Sequence, residues 1–273
     1  MFQVDQKQSQ LSQAAGLLEV IYHATVRHLR KSHSNALAAL AINMMQSVML
    51  VLVFYLMYAV IGLRGNMIRG DFLLYIMSGI FLYMTQVKTM GAIVGSEGPA
   101  SPMMQHAPMN TFVAIASAAL SQLYIQVLSI VVILYVYHIA FTPITIYDPV
   151  GAFGMLLLAW YSGIGIGLIF LAIKPWFPQF ASVGSSIYAR ANMIASGKMF
   201  LANSTPYYIL AFFTWNPLFH IIDQARGFAF INYNPHNSNW LYPLLVSVAL
   251  MMIGLMAEAY TRKHVSMSWS ARR

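Results

Sequence analysis

At 273 residues, 59% of them hydrophobic and only 8% charged, the chain cannot clothe a water-facing surface, which takes about 25% charged residues. A soluble globule is excluded, and an integral membrane protein of one bundle remains. The formal net charge of +8 bears on membrane sidedness before nucleic acid, and the absence of cysteine removes disulfide scaffolds, thiolate metal sites and a cysteine nucleophile.

No alternating apolar–polar runs with regular turns occur, so the spans are helices rather than barrel strands. The 19 methionines suit flexible packing in such helices better than metal binding. Residues 1–16 are a polar, Gln-rich tail without the apolar core of a secretory signal. Over residues 17–36, Leu18, Ile21, Thr25 and Leu29 share one helical face while Arg27, Arg30 and Lys31 gather at the end, the pattern of an amphipathic helix on the cytoplasmic leaflet. Six apolar segments follow, at about 37–63, 72–94, 111–141, 150–173, 183–201 and 241–260, making residues 37–260 one six-span, all-α transmembrane domain. The third is long enough to tilt or extend past the bilayer; the fifth is the least apolar. A basic tail, 261–273, completes the order.

Lys and Arg sort by side. With alternating spans, nine of the 15 fall on the side of the N-terminus, three (Arg64, Arg69 and Arg226) on the other, and three (Lys88, Arg190 and Lys198) within spans. The positive-inside rule therefore places both termini in the cytoplasm. The cytoplasmic loops, 95–110 and 174–182, are too short to be domains. Any energy-converting enzyme must then be another polypeptide.

Between the last two spans, residues 203–240 carry the stretch Trp215-Asn216-Pro217-Leu218-Phe219-His220-Ile221-Ile222-Asp223-Gln224-Ala225-Arg226-Gly227. Asn-Pro starts a helix well, because the missing proline N–H would be unpaired in the first turn anyway. Gly227 is placed to stop it. A helix over 217–226 puts His220 beside Asp223 and Asp223 beside Arg226 at i, i+3. At about 1.5 Å per residue it reaches only half a bilayer core, so it dips into or lies on the outer face as a re-entrant or interfacial element. Aromatics crowd around it, among them Tyr207, Tyr208, Phe212 and Trp240, as an interfacial belt or as rails for sugar rings.

Few residues offer chemistry. Ser196-Gly197-Lys198 imitates the end of a phosphate-binding loop, but Asn192 stands where the first glycine belongs and Met199 follows the lysine. Gly163 and Gly167 form a G-x-x-x-G pair inside an apolar span, a device for close helix approach. His220 and Asp223 are the one His–carboxylate pair at hydrogen-bond spacing; there is no H-E-x-x-H, and no metal site is expected. Charges inside a membrane cost about 2.5–3.5 kcal/mol and so face cavities or snorkel. Arg190, sharing a face with Ser186 and Gly197, with Tyr188, Asn192 and Lys198 nearby, marks a water-filled pathway or a local pairing. Lys88 suits snorkelling, and Glu258 can pair with Arg262 at i+4. Gln122, Gln126 and Ser129 at i, i+4, i+7 line a conduit or glue helices.

Taken together these residues resemble the permease subunit of type-2 ABC exporters, closest to the capsular-polysaccharide and O-antigen export branch. The resemblance runs over about residues 18–262 and rests on Trp215-Asn216-Pro217-Leu218-x-His220 ending at Arg226, Gly167-Leu168-Ile169-Phe170 followed by Phe177-Pro178, Ser196-Gly197-Lys198-Met199-Phe200 before Pro206, and Ala107-Pro108-Met109. It implies a homodimer in the bacterial inner membrane with two ATPase subunits, which would hold the ATP and Mg, so that this chain needs no cofactor of its own. It implies docking of the ATPases on the amphipathic helix and on the loop with Glu97, Pro99, Pro102, His106 and Pro108, with Lys174, Phe177 and Pro178 second. A periplasmic gate would comprise Trp215, Asn216, Pro217, His220, Asp223 and Arg226. The cargo would be a lipid-linked, acidic glycan, its path lined by Arg190, Asn192, Lys198, Gln122, Gln126 and Tyr188. The further partners would be membrane lipids and periplasmic and outer-membrane polysaccharide export proteins, with no nucleic acid. Two rivals stand beside this reading: the same fold exporting drugs or another small molecule, and an integral membrane enzyme using His220 and Asp223.

Overall fold

The computed structural model describes residues 10–32, 36–61, 71–96 and 111–271, and among them every regular element is helical: α1 (Gln10–Ser32), α2 (Ala36–Ile61), α3 (Phe72–Val94), α4 (Thr111–Ala140), α5 (Pro149–Ile173), α6 (Pro178–Ala195), a short 3-10 turn (Ala202–Ser204), α7 (Tyr207–Leu210), α8 (Pro217–Ala229) and α9 (Leu241–Ala271). Four stretches are long and apolar enough to cross a membrane, Leu37–Val60, Thr111–Ala140, Pro149–Ile173 and Leu241–His264. They belong to α2, α4, α5 and α9. Helix α3 carries Gln86 and Lys88, and α6 carries Arg190, Asn192 and three serines, which lowers the apolarity of both.

Three helix starts are written in the sequence. Asp71 caps α3 by accepting from Leu73 N–H, and Asp148 caps α5 by accepting from Val150 and Gly151 N–H ahead of Pro149 in the first turn. Asn216 does the same for α8, accepting from Leu218 N–H ahead of Pro217. Each cap satisfies N–H groups that have no partner inside the helix.

Glycines set the packing. In a membrane, helices associate through close approach and hydrogen bonds rather than by escaping water. A Cβ on Gly163 would lie 2.5 Å from the Gln86 carbonyl oxygen, and one on Gly167 would lie 2.9 Å from Ile93 Cβ, so both glycines admit α3. Gly165, between them, faces the other way, where a Cβ would sit 3.1 Å from Leu250 Cβ of α9. Gly254 returns the favour, admitting Leu168 of α5. One G-x-G-x-G run thus seats two neighbours on opposite faces of α5.

Several boundaries differ from the sequence reading. Helix α1 begins at Gln10, inside the stretch read as a polar tail, and α9 continues to Ala271 through most of the basic tail. The fifth segment, expected over 183–201, is a helix over Pro178–Ala195, and residues 196–201 leave the helix in a turn. Gly227 does not stop α8, which runs on to Ala229. The glycine is there because Pro235 of the return loop lies against it: a Cβ would meet Pro235 Cδ at 2.7 Å. Helix α1 packs on α4, with Ile21 and Ala24 against Val113 and His28 Nδ1 3.2 Å from Ser121 Oγ.

The main apolar core surrounds α3 and includes Leu218, Ile221, Ile222 and Ala225 of α8. The short helix is therefore enclosed by the bundle at one end, against α3, α5 and α9.

Candidate functional site

The site is built where α6 ends and α8 begins. Gly197 takes φ of +66°, a left-handed conformation that favours glycine, and the Phe219 ring occupies the space where a side chain would start. The turn that follows exposes carbonyls in succession, and side chains from two other elements take them. Arg226 of α8, 1% exposed, donates to the carbonyls of Lys198 at 2.6 Å, Phe200 at 2.8 Å and Gly197 at 3.4 Å. Its guanidinium also lies over Tyr75 of α3, 4.3 Å from the ring centroid. Tyr58 of α2 donates its hydroxyl to the Met199 carbonyl. All four carbonyls from 197 to 200 are thereby bound.

Lys198, 3% exposed, runs past Gly79 into a cage of rings. Its Nζ is 3.5 Å from the Tyr83 centroid and 5.1 Å from that of Phe54, and among the described residues it has no hydrogen-bond acceptor. The ring faces take the place of a counter-ion.

A chain of amides runs from the same junction into the bundle. Asn216 Nδ2 donates to Asn192 Oδ1 at 2.7 Å and to the Ala195 carbonyl at 2.8 Å. Asn192 Nδ2 donates to Gln86 Oε1 at 3.3 Å, and Gln86 Nε2 donates to Ser162 Oγ at 2.9 Å. Four elements, α8, α6, α3 and α5, are pinned by one line of buried side chains. Gln86 was not singled out from the sequence; an amide inside an otherwise apolar span was the available signal, because it must find a partner. The same applies to Asn43, which donates to Ser129 Oγ at 2.9 Å and exchanges hydrogen bonds with Gln126. Gln126 and Ser129 therefore join α4 to α2, while Gln122 beside them is half-buried. Lys88 is half-buried and donates to the Gln46 side chain of α2 instead of reaching for the interface.

His220 and Asp223 are not a dyad. His220 Nε2 donates to the Thr214 carbonyl at 2.7 Å, and Nδ1 accepts from Asn239 N–H at 3.1 Å. Both nitrogens are spent on backbone, which fixes the tautomer. Burial lowers the imidazole pKa from its ordinary 6.5 despite the Thr214 carbonyl and the Asp223 carboxylate, so the ring stays neutral. Asp223 accepts instead from the Tyr233 hydroxyl, whose pKa burial, and then that carboxylate, push well above the ordinary 10.0. Arg226 is committed to the turn, leaving Asp223 and Arg226 with separate partners.

Of the other expected pathway residues, Tyr188 is half-buried with its ring 6.4 Å from that of Phe170, and Arg190 is exposed. Gly197, expected on the face of Arg190, lies beyond the helix and is buried. The exposed stripe of α6 is Ser182, Ser186 and Arg190 at four-residue spacing, flanked by Val183, Ile187 and Ile194, the second of these 61% exposed. Tyr207, Tyr208, Phe212 and Trp215 are exposed together at the end of the bundle that holds the site, and the Trp215 carbonyl accepts from Tyr242. At the opposite end Lys174 Nζ donates to the Val94 carbonyl at 2.7 Å, and Phe177 and Pro178 begin α6 with the Phe177 ring exposed. Glu97, Pro99, Pro102, His106 and Pro108 lie outside the described residues. Glu258 is buried with one oxygen lacking a hydrogen-bond partner.

No family model matches the chain. It is similar to the "Polysialic acid transport protein KpsM" of Escherichia coli, 25% identical over 172 residues covering 62% of this chain. A second protein of the same name and organism is 24% identical over 172 residues. The aligned part spans 63% of the length of each relative. The four long apolar helices among the described residues support a multi-pass membrane protein. Both relatives carry the name of a polysialic acid transport protein, in keeping with the transport resemblance that the motifs carry.

Proposed function

We propose that this chain is the membrane-spanning subunit of an ATP-driven exporter that moves a lipid-linked, acidic polysaccharide across the inner membrane. Two copies would work with two ATPase subunits, which carry the ATP and Mg; the chain itself does no covalent chemistry. The observation that carries the reading is the exposed stripe of α6. Ser182, Ser186 and Arg190 project from the bundle, where lipid would penalise the guanidinium by about 2.5–3.5 kcal/mol. A second copy enclosing a wet conduit removes that penalty, and a guanidinium in such a conduit suits carboxylates on a passing glycan. Lys198 and Arg226, also candidates for that task, are engaged inside the protomer, which concentrates the role on Arg190.

Counting α3 and α6 as crossings gives six, with both termini cytoplasmic by the charge distribution. Residues 203–240 then face the periplasm, and the burial of α8 against α3, α5 and α9 favours a re-entrant helix over one lying flat. The amphipathic α1, the loop with Glu97 to Pro108 and the Lys174–Phe177–Pro178 corner are the surfaces we assign to the ATPases. Membrane lipids and periplasmic and outer-membrane export proteins complete the assembly.

The test is Arg190→Glu in the complete transporter, scored as polymer at the cell surface against polymer retained inside. Export is expected to fall with retention rising. Normal export with undiminished synthesis removes Arg190 from the pathway. A purified complex that hydrolyses ATP but never translocates glycan removes the whole reading.

A further inference from the structure

A cavity of about 680 Å³ opens at the same end of the bundle as α8, between the start of α3, the 142–147 segment and the end of α8. That volume is within the range of small-ligand sites. Nothing in the transport reading uses it. Its polar fixture is Asp71, held rigidly: one oxygen accepts from Leu73 N–H at 2.9 Å, the other from Thr142 Oγ1 at 2.6 Å and from the Tyr137 hydroxyl. Burial raises the Asp71 pKa, but the Thr142 and Tyr137 hydroxyls and the N–H groups of Leu73 and Leu74 more than offset it and leave it below the ordinary 3.8. The carboxylate is thus a fixed negative charge. Its partners among the described residues are hydroxyls and backbone N–H groups.

The walls have two characters. Leu74, Ile144 and Phe230 are apolar, Thr145 offers a hydroxyl, and Tyr147 stands at the cavity 65% exposed. The wall segment is itself anchored, since Tyr147 N–H donates to the Ala229 carbonyl at 3.2 Å and Asp148 N–H to that of Phe228 at 2.7 Å. A pyranose has this same division, with C–H faces that pack on aliphatic and aromatic surface and a rim of hydroxyls that pair with oxygen groups. A ring bearing its own carboxylate would meet Asp71 as a like charge, which is disfavoured near a partly buried site.

We infer that this cavity is an outward-facing subsite for a neutral or amino sugar of the exported glycan. The inference rests on the export reading and sharpens it. Arg190 takes the acidic residues in the conduit and the cavity takes an uncharged one at the exit, so the cargo is a mixed repeat rather than a uniformly acidic polymer.

Saturation-transfer NMR on the full chain in lipid nanodiscs tests it, with methyl glucoside, glucosamine, N-acetylglucosamine, glucuronate and N-acetylneuraminate as probes. The first three are expected to bind, with the two acids silent. Thr145→Trp fills the cavity and Tyr147→Ala removes its exposed ring; either should weaken binding by about tenfold, and the two serve as independent checks should one fail to fold. Equal binding of the acids, no binding by any sugar, or binding untouched in a folded variant overturns the proposal. Capture of a periplasmic protein through this face, without sugar binding, overturns it too. Export that persists while no sugar binds sinks the subsite alone; sugar binding by a chain whose complex exports nothing sinks the export reading alone.

Discussion

Replacing Arg226 by Met should unfasten the turn that joins α6 to the buried short helix. Two of its hydrogen bonds are short, 2.6 Å and 2.8 Å, and a bond from a charged donor contributes about 1.5–3 kcal/mol. The desolvated contact with Tyr75, at 4.3 Å, adds about 2 kcal/mol. Allowing for adjustment of the turn, the expected loss is at least about 4 kcal/mol. For a chain of this size each kcal/mol moves the melting point by about 2–4 °C, so scanning fluorimetry of the purified protein in nanodiscs should show a fall of about 10 °C. Arg226→Lys should fall part of the way, because one ammonium cannot span the Lys198 and Phe200 carbonyls as a planar fork does. A Met variant within about 2 °C of the parent would show that the turn holds without its guanidinium. A Lys variant that matched the parent would show that fork geometry is irrelevant.

Asn216→Asp keeps the capping oxygen and the shape but removes both Nδ2 donations. Were capping its whole role the change would be neutral, whereas the amide chain predicts a loss of about 3 kcal/mol, read by the same melt. Gly163→Ala would press a methyl into the Gln86 carbonyl and should cost about 1–3 kcal/mol. Gly154→Ala on the same helix meets nothing within 4 Å and should be neutral or stabilise by up to about 1 kcal/mol; equal losses would refute the packing account. Neutral His220, with a pKa held below 6.5 by burial, contributes stability in full above that value and loses it as acid protonates the ring. Between pH 7 and 5 the parent should therefore lose more melting temperature than His220→Gln, and parallel curves would contradict the bonding pattern.

Most of the apolar segments and the start of α8 are legible because each rests on a local signal, an uninterrupted apolar run or the Asn216-Pro217 pair at the head of a helix. The partners of the polar residues are not. Lys198 reads from sequence as a pathway cation and Arg226 as a gate residue, yet one ends among ring faces and the other on carbonyls, because Tyr83, Phe54 and the turn come from distant parts of the chain. Gly227 read as a stop signal because helix ends favour glycine, while its actual reason is Pro235, which approaches from eight residues further on. The end of α6 was misplaced for a similar reason: Met199, Phe200 and Leu201 are as apolar as a span, and only the left-handed Gly197 breaks it.

The 30 residues of α4 form a rod of about 45 Å, half as long again as the roughly 30 Å hydrocarbon layer. Ile21, Ala24 and His28 of α1 are fastened along its first turns, the Asn43–Gln126–Ser129 knot grips it midway, and Tyr137 ties its far end to Asp71. Held by α1 near its start, by α2 midway and by Asp71 at its far end, the helix is expected to carry a displacement of α1 to the base of α3 as one stiff rod.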